Sequence, residues 1–298
     1  MHSSTIRRLS AAALLLAGSA VAAEAQTAYA LTTTAAGAQQ LVRFSPTTPG
    51  AVSTVGMTGV NLTGIDFRPA TNQLYGYDGD RLYILNVTTG SATLAFDVGN
   101  AAGDVGFDFN PTVDRLRLVS PANTNFRINP LDGSTITDGA YTFAMGDVNF
   151  GRVPAFTAVA YTNSDNDPAT GTTLFGIDPT LGQLVRITTP NGGVINTVGN
   201  LGLGAFSAIS GFDILTVGGV NSAFFTGVRA NSMMTQLFSL NLETGAATFI
   251  GNVGAQGTIQ GLALTSSVVP EPSTYALLAT GLLGLGAVAR RRRAARKA

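Results

Sequence analysis

Residues 64–99 read GIDFRPATNQLYGYDGDRLYILNVTTGSATLAFDVG, and this stretch decides the fold. Apolar residues alternate, Thr, Val, Phe and Tyr are enriched, and glycine turns return at intervals of roughly 8–12 residues, the pattern of short strands. In the turn Thr89-Gly90 the glycine supplies a positive φ that other residues resist. Two more stretches repeat the layout, TLFGIDPTLGQLVRITTPNGGVINTVG and QLFSLNLETGAATFIGNVG, with turns read at Leu181-Gly182 and Thr244-Gly245. No amphipathic helix of useful length interrupts them.

The opening tetrapeptide recurs as well. Gly64-Ile65-Asp66-Phe67 is followed by Gly106-Phe107-Asp108-Phe109, Ala158-Val159-Ala160-Tyr161, Gly211-Phe212-Asp213-Ile214 and Gly261-Leu262-Ala263-Leu264, in steps of 42, 52, 53 and 50 residues. A repeat of that length holding four short strands is the mark of a β-propeller blade. Five such motifs predict five four-stranded blades. The last motif, in IQGLALT from Ile259, has no outer strands after it. The segment AYALTTTAAGAQQLVRFSPTTPGAVSTVG has outer strands and no inner one before it. Together they complete one blade, which closes the ring and removes an open edge. A six-bladed ring, with a blade within Ala205–Gln236, and a pair of β-sandwiches are the competing architectures.

The two ends are of different character. Arg7 and Arg8 precede an apolar run, and Ala23-Glu24-Ala25 has the small-x-small form of a signal-peptidase site, so residues 1–25 read as a signal peptide cleaved after Ala25. Residues 26–268 are the propeller domain. From residue 269 the chain reads VPEPSTYALLATGLLGLGAVARRRRAARKA. The uncharged run from Tyr275 to Ala289 spans about 22 Å as a helix, against a hydrocarbon core of about 30 Å. A transmembrane helix at about 274–289 therefore crosses only with help from Ser273, Thr274 and the flanking arginines. Arg290, Arg291, Arg292 and Arg293 belong on the cytoplasmic side.

The order Pro270-Glu271-Pro272, short apolar run, arginine block resembles the PEP-CTERM sorting signal of Gram-negative bacteria. That resemblance implies an exosortase-type processing enzyme as partner, transient insertion in the inner membrane, a tail removed in the mature protein, and delivery to the cell surface. The middle of the chain, GIDFRPATNQLYGYDGDRLYILN, GFDFNPTVDRLRLVSPANTNFRINPLDG, AYTNS, TTLFGID, PNGGVINTVGNLG and GFDI, resembles the domain of unknown function 4394 family from about Leu41 to Leu264. This resemblance implies an exported all-β domain and carries no substrate.

Composition narrows the chemistry. The whole chain is formally neutral, but the propeller domain holds nine arginines, no lysine and fifteen carboxylates, a net charge of about −6. An acidic surface argues against nucleic acid and anionic membrane as partners. Cysteine is absent, so the core alone must hold an exported fold. The single histidine is His2, within the signal. A Ser-His-Asp or Cys-His arrangement and a His- or Cys-ligated zinc are thereby excluded from the mature domain. Carboxylates, Arg, Tyr, Ser and Thr remain.

Asp66, Asp108 and Asp213 hold the same place in three motifs. Converging at the axis, they would form an oxygen site for a divalent cation such as Ca²⁺. Alternation instead points each at an inter-blade face, where it would accept backbone N–H groups or pair with arginine. Arg68, Arg115, Arg117 and Arg127 crowd into sixty residues. They either pair with Asp66, Asp108 and Asp114, or offer guanidinium forks to an acidic ligand. Alternation sets Arg115 and Arg117 on one strand face. Arg127, near Asn123 and Asn125, is the foremost candidate for ligand contact. NSDNDPATG from Asn163 alternates oxygens like a calcium loop, but Pro168 replaces the turn glycine and Leu174 the bidentate glutamate, so it reads as a polar connection. PNGG at Pro190 and GLGAF at Gly202 are turns rather than phosphate cradles. Tyr75, Tyr77, Tyr83, Tyr141 and Tyr161 read as core.

These features predict an exported, surface-sorted, non-catalytic propeller that binds or builds the extracellular matrix, with exopolysaccharide or a surface protein as partner. The competing reading is a metal-dependent hydrolase, lactonase or lyase at the propeller mouth. A spacer without a ligand is the third.

Overall fold

A computed structural model describes residues 24–99, 105–165 and 167–268; the account below concerns the unit Ala25–Ser267. Residues 1–23, most of the expected signal peptide, and residues 269–298, with the expected transmembrane helix, lie outside the described residues. Among those described, no helix is long and apolar enough to cross a membrane. The one helical element of the described residues is a 3₁₀ turn at Pro168–Thr170.

The strands form five sheets, arranged as the blades of a propeller. Blade 1 contains β1 (Glu24–Thr33), β2 (Gln39–Phe44) and β3 (Ser53–Met57). Blade 2 is β4 (Gly64–Arg68), β5 (Gln73–Tyr77), β6 (Arg81–Leu85) and β7 (Ala92–Asp97). Blade 3 is β8 (Gly106–Asn110), β9 (Arg115–Val119), β10 (Asn125–Ile128) and β11 (Thr135–Thr137). Next comes β12 (Thr142–Phe143), then β13 (Ala158–Tyr161), β14 (Leu174–Asp178), β15 (Gln183–Thr189) and β16 (Val194–Asn200) of blade 4. Blade 5 is β17 (Phe206–Val217), β18 (Val220–Arg229), β19 (Gln236–Leu240) and β20 (Ala247–Asn252). Finally β21 (Ile259–Val268) joins blade 1 beside β1 as its innermost strand, so the two ends of the domain share one sheet.

Two details depart from the sequence pattern. Blade 4 has a fifth strand, β12, which pairs parallel to β16 on the outer edge. Leu181-Gly182 also occupies a different place from Thr89-Gly90 and Thr244-Gly245. It joins the second and third strands of its blade, whereas the other two join the third and fourth. The matching turn of blade 4 is Pro190–Gly193. The distinction is physical. A Cβ on Gly90 would lie 2.5 Å from the backbone of Gly56, and one on Gly245 2.7 Å from Gly199, in each case on the outer strand of the preceding blade. Gly182 has φ +62° and nothing within 4 Å.

The core is divided by the blade interfaces. Five apolar clusters each bridge two neighbours: for example, Tyr75, Tyr77 and Leu82 of blade 2 meet Phe107, Phe109 and Leu116 of blade 3. Phe175 and Ile177 of blade 4 meet Phe212, Phe225 and Phe238 of blade 5. Period-2 alternation makes this work, since Leu74 faces blade 1 while Tyr75, the next residue, faces blade 3. Burying each large side chain stabilises by about 1.5–3 kcal/mol, which a disulfide-free domain needs. All five candidate tyrosines are buried.

The first residue of each inner-strand motif is small because the next inner strand passes against it. A Cβ on Gly64 would sit 2.7 Å from Phe107 Cβ; on Gly106, 2.9 Å from Val159 N; on Gly211, 2.6 Å from Leu262; on Gly261, 3.0 Å from Ile65. At this level the axis encloses a cavity of only about 10 Å³. The propeller is plugged rather than bored through.

Candidate functional site

The third and fourth positions of the motifs build the axial centre. Asp66 Oδ2 accepts the N–H of Phe109 at 2.8 Å, Asp108 Oδ1 that of Tyr161 at 3.0 Å, and Asp213 Oδ2 that of Leu264 at 2.5 Å. Each bond runs from position four of one inner strand to the carboxylate at position three of the strand before it. Blades 4 and 1 carry Ala160 and Ala263 at position three and offer no acceptor to the next strand. There the orphaned N–H turns to its own strand: Ile214 donates to Asp213 Oδ1 at 2.6 Å and Phe67 to Asp66 Oδ1 at 2.7 Å. Three aspartates thus satisfy five inward backbone donors, as buried polar groups require. Asp66 and Asp213 each accept two and Asp108 one.

The sequence posed inter-blade bonding and axial convergence as alternatives, and both are present. The three residues are 5%, 3% and 6% exposed, yet one carboxylate oxygen from each lies within 4.8 Å of the others. Burial pushes Asp66 well above the usual carboxylate range, with the nearby Asp213 charge adding to it. Burial does the same to Asp108, with Asp66 second. Burial raises Asp213 to about 7, against the opposing hydrogen bonds from Leu264 and Ile214. No arginine among the described residues pairs with them: Arg68 pairs with Asp114, through Nε at 2.7 Å and through Nη2. The triad opens into a mouth of about 260 Å³ at the end where the inner strands finish, with Ser164, Asp165 and Thr216 on its wall. The polar connection from Asn163 therefore lies at this mouth, while its Asp167 caps the 3₁₀ turn.

The same end of the molecule carries a second, larger cavity of about 550 Å³ between blades 3 and 4. Register builds it. Asp108 faces Arg117 across β8 and β9, and Arg117 faces Arg127 across β9 and β10. Blade 3 thus presents a charged row to blade 4. Arg117 is 2% exposed and spends four of its five donors: Nε donates to Tyr161 Oη at 3.2 Å, Nη1 to Asn125 Oδ1 and Asp138 Oδ2 at 2.6 Å each, and Nη2 to Asn191 Oδ1 at 2.8 Å. Arg127 clamps the same Asp138, with Nε at 2.6 Å and Nη2 at 2.9 Å. Arg115 gives only Nη1, to the carbonyls of Asp114 at 2.8 Å and Val113 at 3.4 Å.

Arg115, Arg117 and Arg127 all line this cavity. Asn123 and Asn125 stand behind it. Asn123, with φ +60°, exchanges both amide bonds with the backbone of Tyr141. Asn125 donates to the carbonyls of Gly139 and Pro190 and accepts from Arg117 and Tyr141. Burial raises both Tyr141 and Tyr161 above their ordinary values, so both phenols stay neutral. Sequence reading missed Asp138, whose position in a loop after β11 follows no repeat. It also took PNGG as a turn only, whereas Pro190, Asn191 and Gly192 form the blade 4 wall of the cavity.

Among solved structures, the chain is similar to a protein of unknown function from Bacteroides thetaiotaomicron, with TM-score 0.49 and 12% identity over 79% of this chain. It is similar also to the hydrazine synthase of Kuenenia stuttgartiensis, with TM-score 0.40 and 8% identity over 64% of this chain. It spans 61% and 48% of those chains. No curated protein matches. The PEP-CTERM protein-sorting motif matches residues 268–293, the signal on which exosortase-type enzymes act. It marks the protein for export across the inner membrane to the Gram-negative cell surface. The model of the domain of unknown function DUF4394 matches residues 40–263, and the chain belongs to that family.

Proposed function

We propose that this protein is a non-catalytic binding or structural component of the extracellular matrix, and that it holds an acidic exopolysaccharide or surface polymer in the cavity between blades 3 and 4. One observation carries the reading. Three guanidinium groups line that cavity and, among the described residues, a single carboxylate, Asp138, forms ion pairs with two of them, in a domain with nine arginines against fifteen carboxylates. A local cationic patch on an acidic protein selects anions against its own background field. The cavity is of ordinary ligand-site size. Exported protein purified from the producing cells, mixed with their extracellular polymer separated into acidic and neutral fractions, should bind the acidic fraction and release it at high salt. Retention by neither fraction would remove the reading.

A second reading rests on the axial triad. Asp66, Asp108 and Asp213 form an all-oxygen set suited to a hard cation such as Ca²⁺. Held at the mouth, the cation would supply Lewis-acid chemistry for a hydrolase, lactonase or lyase. Fold alone says nothing for such chemistry. Metal analysis of the purified protein separates the two readings. A stoichiometric cation, lost in Asp108→Ala with the fold intact, favours the enzyme.

A further inference from the structure

The three arginines are not equivalent, and the donors they leave unspent specify more than an anion. Arg117 has used four bonds and is buried in the wall it helps to form. Arg127 has spent its Nε–Nη2 edge on Asp138 and keeps Nη1. Arg115 is the reverse. Its Nη1 is held by two backbone carbonyls of its own turn, while Nε and Nη2 make no hydrogen bond among the described residues, with the exposed Asp132 as the carboxylate whose charge Arg115 feels. That free edge is the side of a guanidinium that meets both oxygens of a planar carboxylate in two parallel hydrogen bonds. The two carbonyls fix the group, so less rotamer freedom remains to be lost on binding.

The neighbours of this edge are partly apolar. Val113, in the same turn, and Pro190, across the blade interface, line the cavity with it, as does Tyr161. A ligand that offers a carboxylate to Arg115 would lay a ring face against Val113 and Pro190. Its hydroxyls would meet Arg127 Nη1 and the polar groups of Asn110 and Asn191. We infer that the cavity reads uronic-acid residues of a carboxylated polysaccharide, with Arg115 as the residue that determines specificity. This rests on the acidic-polymer reading above and narrows it to one chemical class.

The test uses exported protein from the native host and three oligosaccharides of equal length: a uronic-acid oligomer, its carboxyl-reduced neutral form, and a sulfated neutral oligomer. Titration calorimetry should show binding of the uronic-acid oligomer, with a loss of about tenfold or more on carboxyl reduction. The sulfated oligomer should bind more weakly than the uronic-acid oligomer. Arg115→Lys, which keeps the charge and loses the fork, should weaken uronate binding by about tenfold. Equal binding by Arg115→Lys, or equal affinity for the sulfated oligomer, overturns the uronate assignment and leaves the acidic-polymer reading standing. If no uronic-acid oligomer binds while host acidic polymer does, the uronate assignment falls alone. If neither binds, both fall together.

Discussion

Tyr161 donates its backbone N–H to Asp108 Oδ1 at 3.0 Å, and its phenol oxygen accepts from Arg117 Nε at 3.2 Å. One residue at the end of an inner strand thus belongs to both polar centres of the propeller. Asp108 and Arg117 are register partners on adjacent strands, yet each charge is answered elsewhere. Asp108 takes a backbone donor of the next blade, and Arg117 takes Asp138, which lies beyond the outermost strand of its own blade. The interface between blades 3 and 4 is therefore a polar seam that joins the axial centre to the cavity.

That seam is costly to disturb at its centre and cheap at its rim. Asp138 is the only carboxylate bonded to Arg117 among the described residues. Asp138→Asn should destabilise the protein by about 3–5 kcal/mol, because it strands a buried guanidinium. Arg115→Ala should change stability by no more than about 0.5 kcal/mol. Chemical denaturation of both variants checks the contrast; equal costs would mean that Arg117 draws its compensation from the neutral groups alone.

The axial triad makes stability depend on pH. Asp213 rises to about 7 in the fold from an ordinary value of 3.8, so between those limits the folded protein keeps a proton that the unfolded chain has lost. Its contribution is complete below about pH 4 and declines as pH rises to about 7. For this group the decline is of order 4 kcal/mol, and Asp66 and Asp108, which burial also raises, act in the same direction. In the presence of a chelator, the melting temperature should fall from about pH 5 to about pH 7.5. Asp108→Asn keeps an acceptor for Tyr161 and should flatten the slope. A melting temperature that climbs over this range would contradict the burial argument.

Turn glycines that look alike should behave differently. Gly90→Ala adds a Cβ 2.5 Å from the backbone of Gly56 at φ +80°, so strain and clash act together and the cost should exceed about 2 kcal/mol. Gly182→Ala meets open space at φ +62° and should cost about 1 kcal/mol. Thermal unfolding of the pair ranks them, and the reverse order would refute the blade-packing account.

These glycines also mark how far the sequence could be read. Five motifs at steps of 42–53 residues made the ring legible, because each inner strand needs the same small residue where the next strand crosses it. β12 was invisible, since two residues in a parallel edge pairing leave no periodic trace. At the axis, alternation correctly turned each aspartate toward the next blade. It could not reveal that crowded inner strands bring those carboxylates within 4.8 Å of one another. In the cavity, Arg115, Arg117 and Arg127 were legible from spacing along β9 and β10. Asp138 was not, because it lies just past β11, outside the repeating motifs.

The C-terminal segment yields a separate expectation. Exosortase-type processing within residues 268–293 should give a surface protein without the arginine block at Arg290–Arg293. Intact-mass measurement of surface protein from the native host would show the shortened chain; a mass that includes Ala298 would make the segment a permanent anchor.

The most direct measurement of the central claim is equilibrium binding of the native exported protein to the acidic extracellular polymer of its own cells, beside the Arg115→Ala/Arg127→Ala double variant. The account predicts saturable, salt-sensitive binding that the double variant loses by about tenfold or more while keeping its fold. Binding that survives in the double variant would contradict it, as would the absence of binding in the native protein.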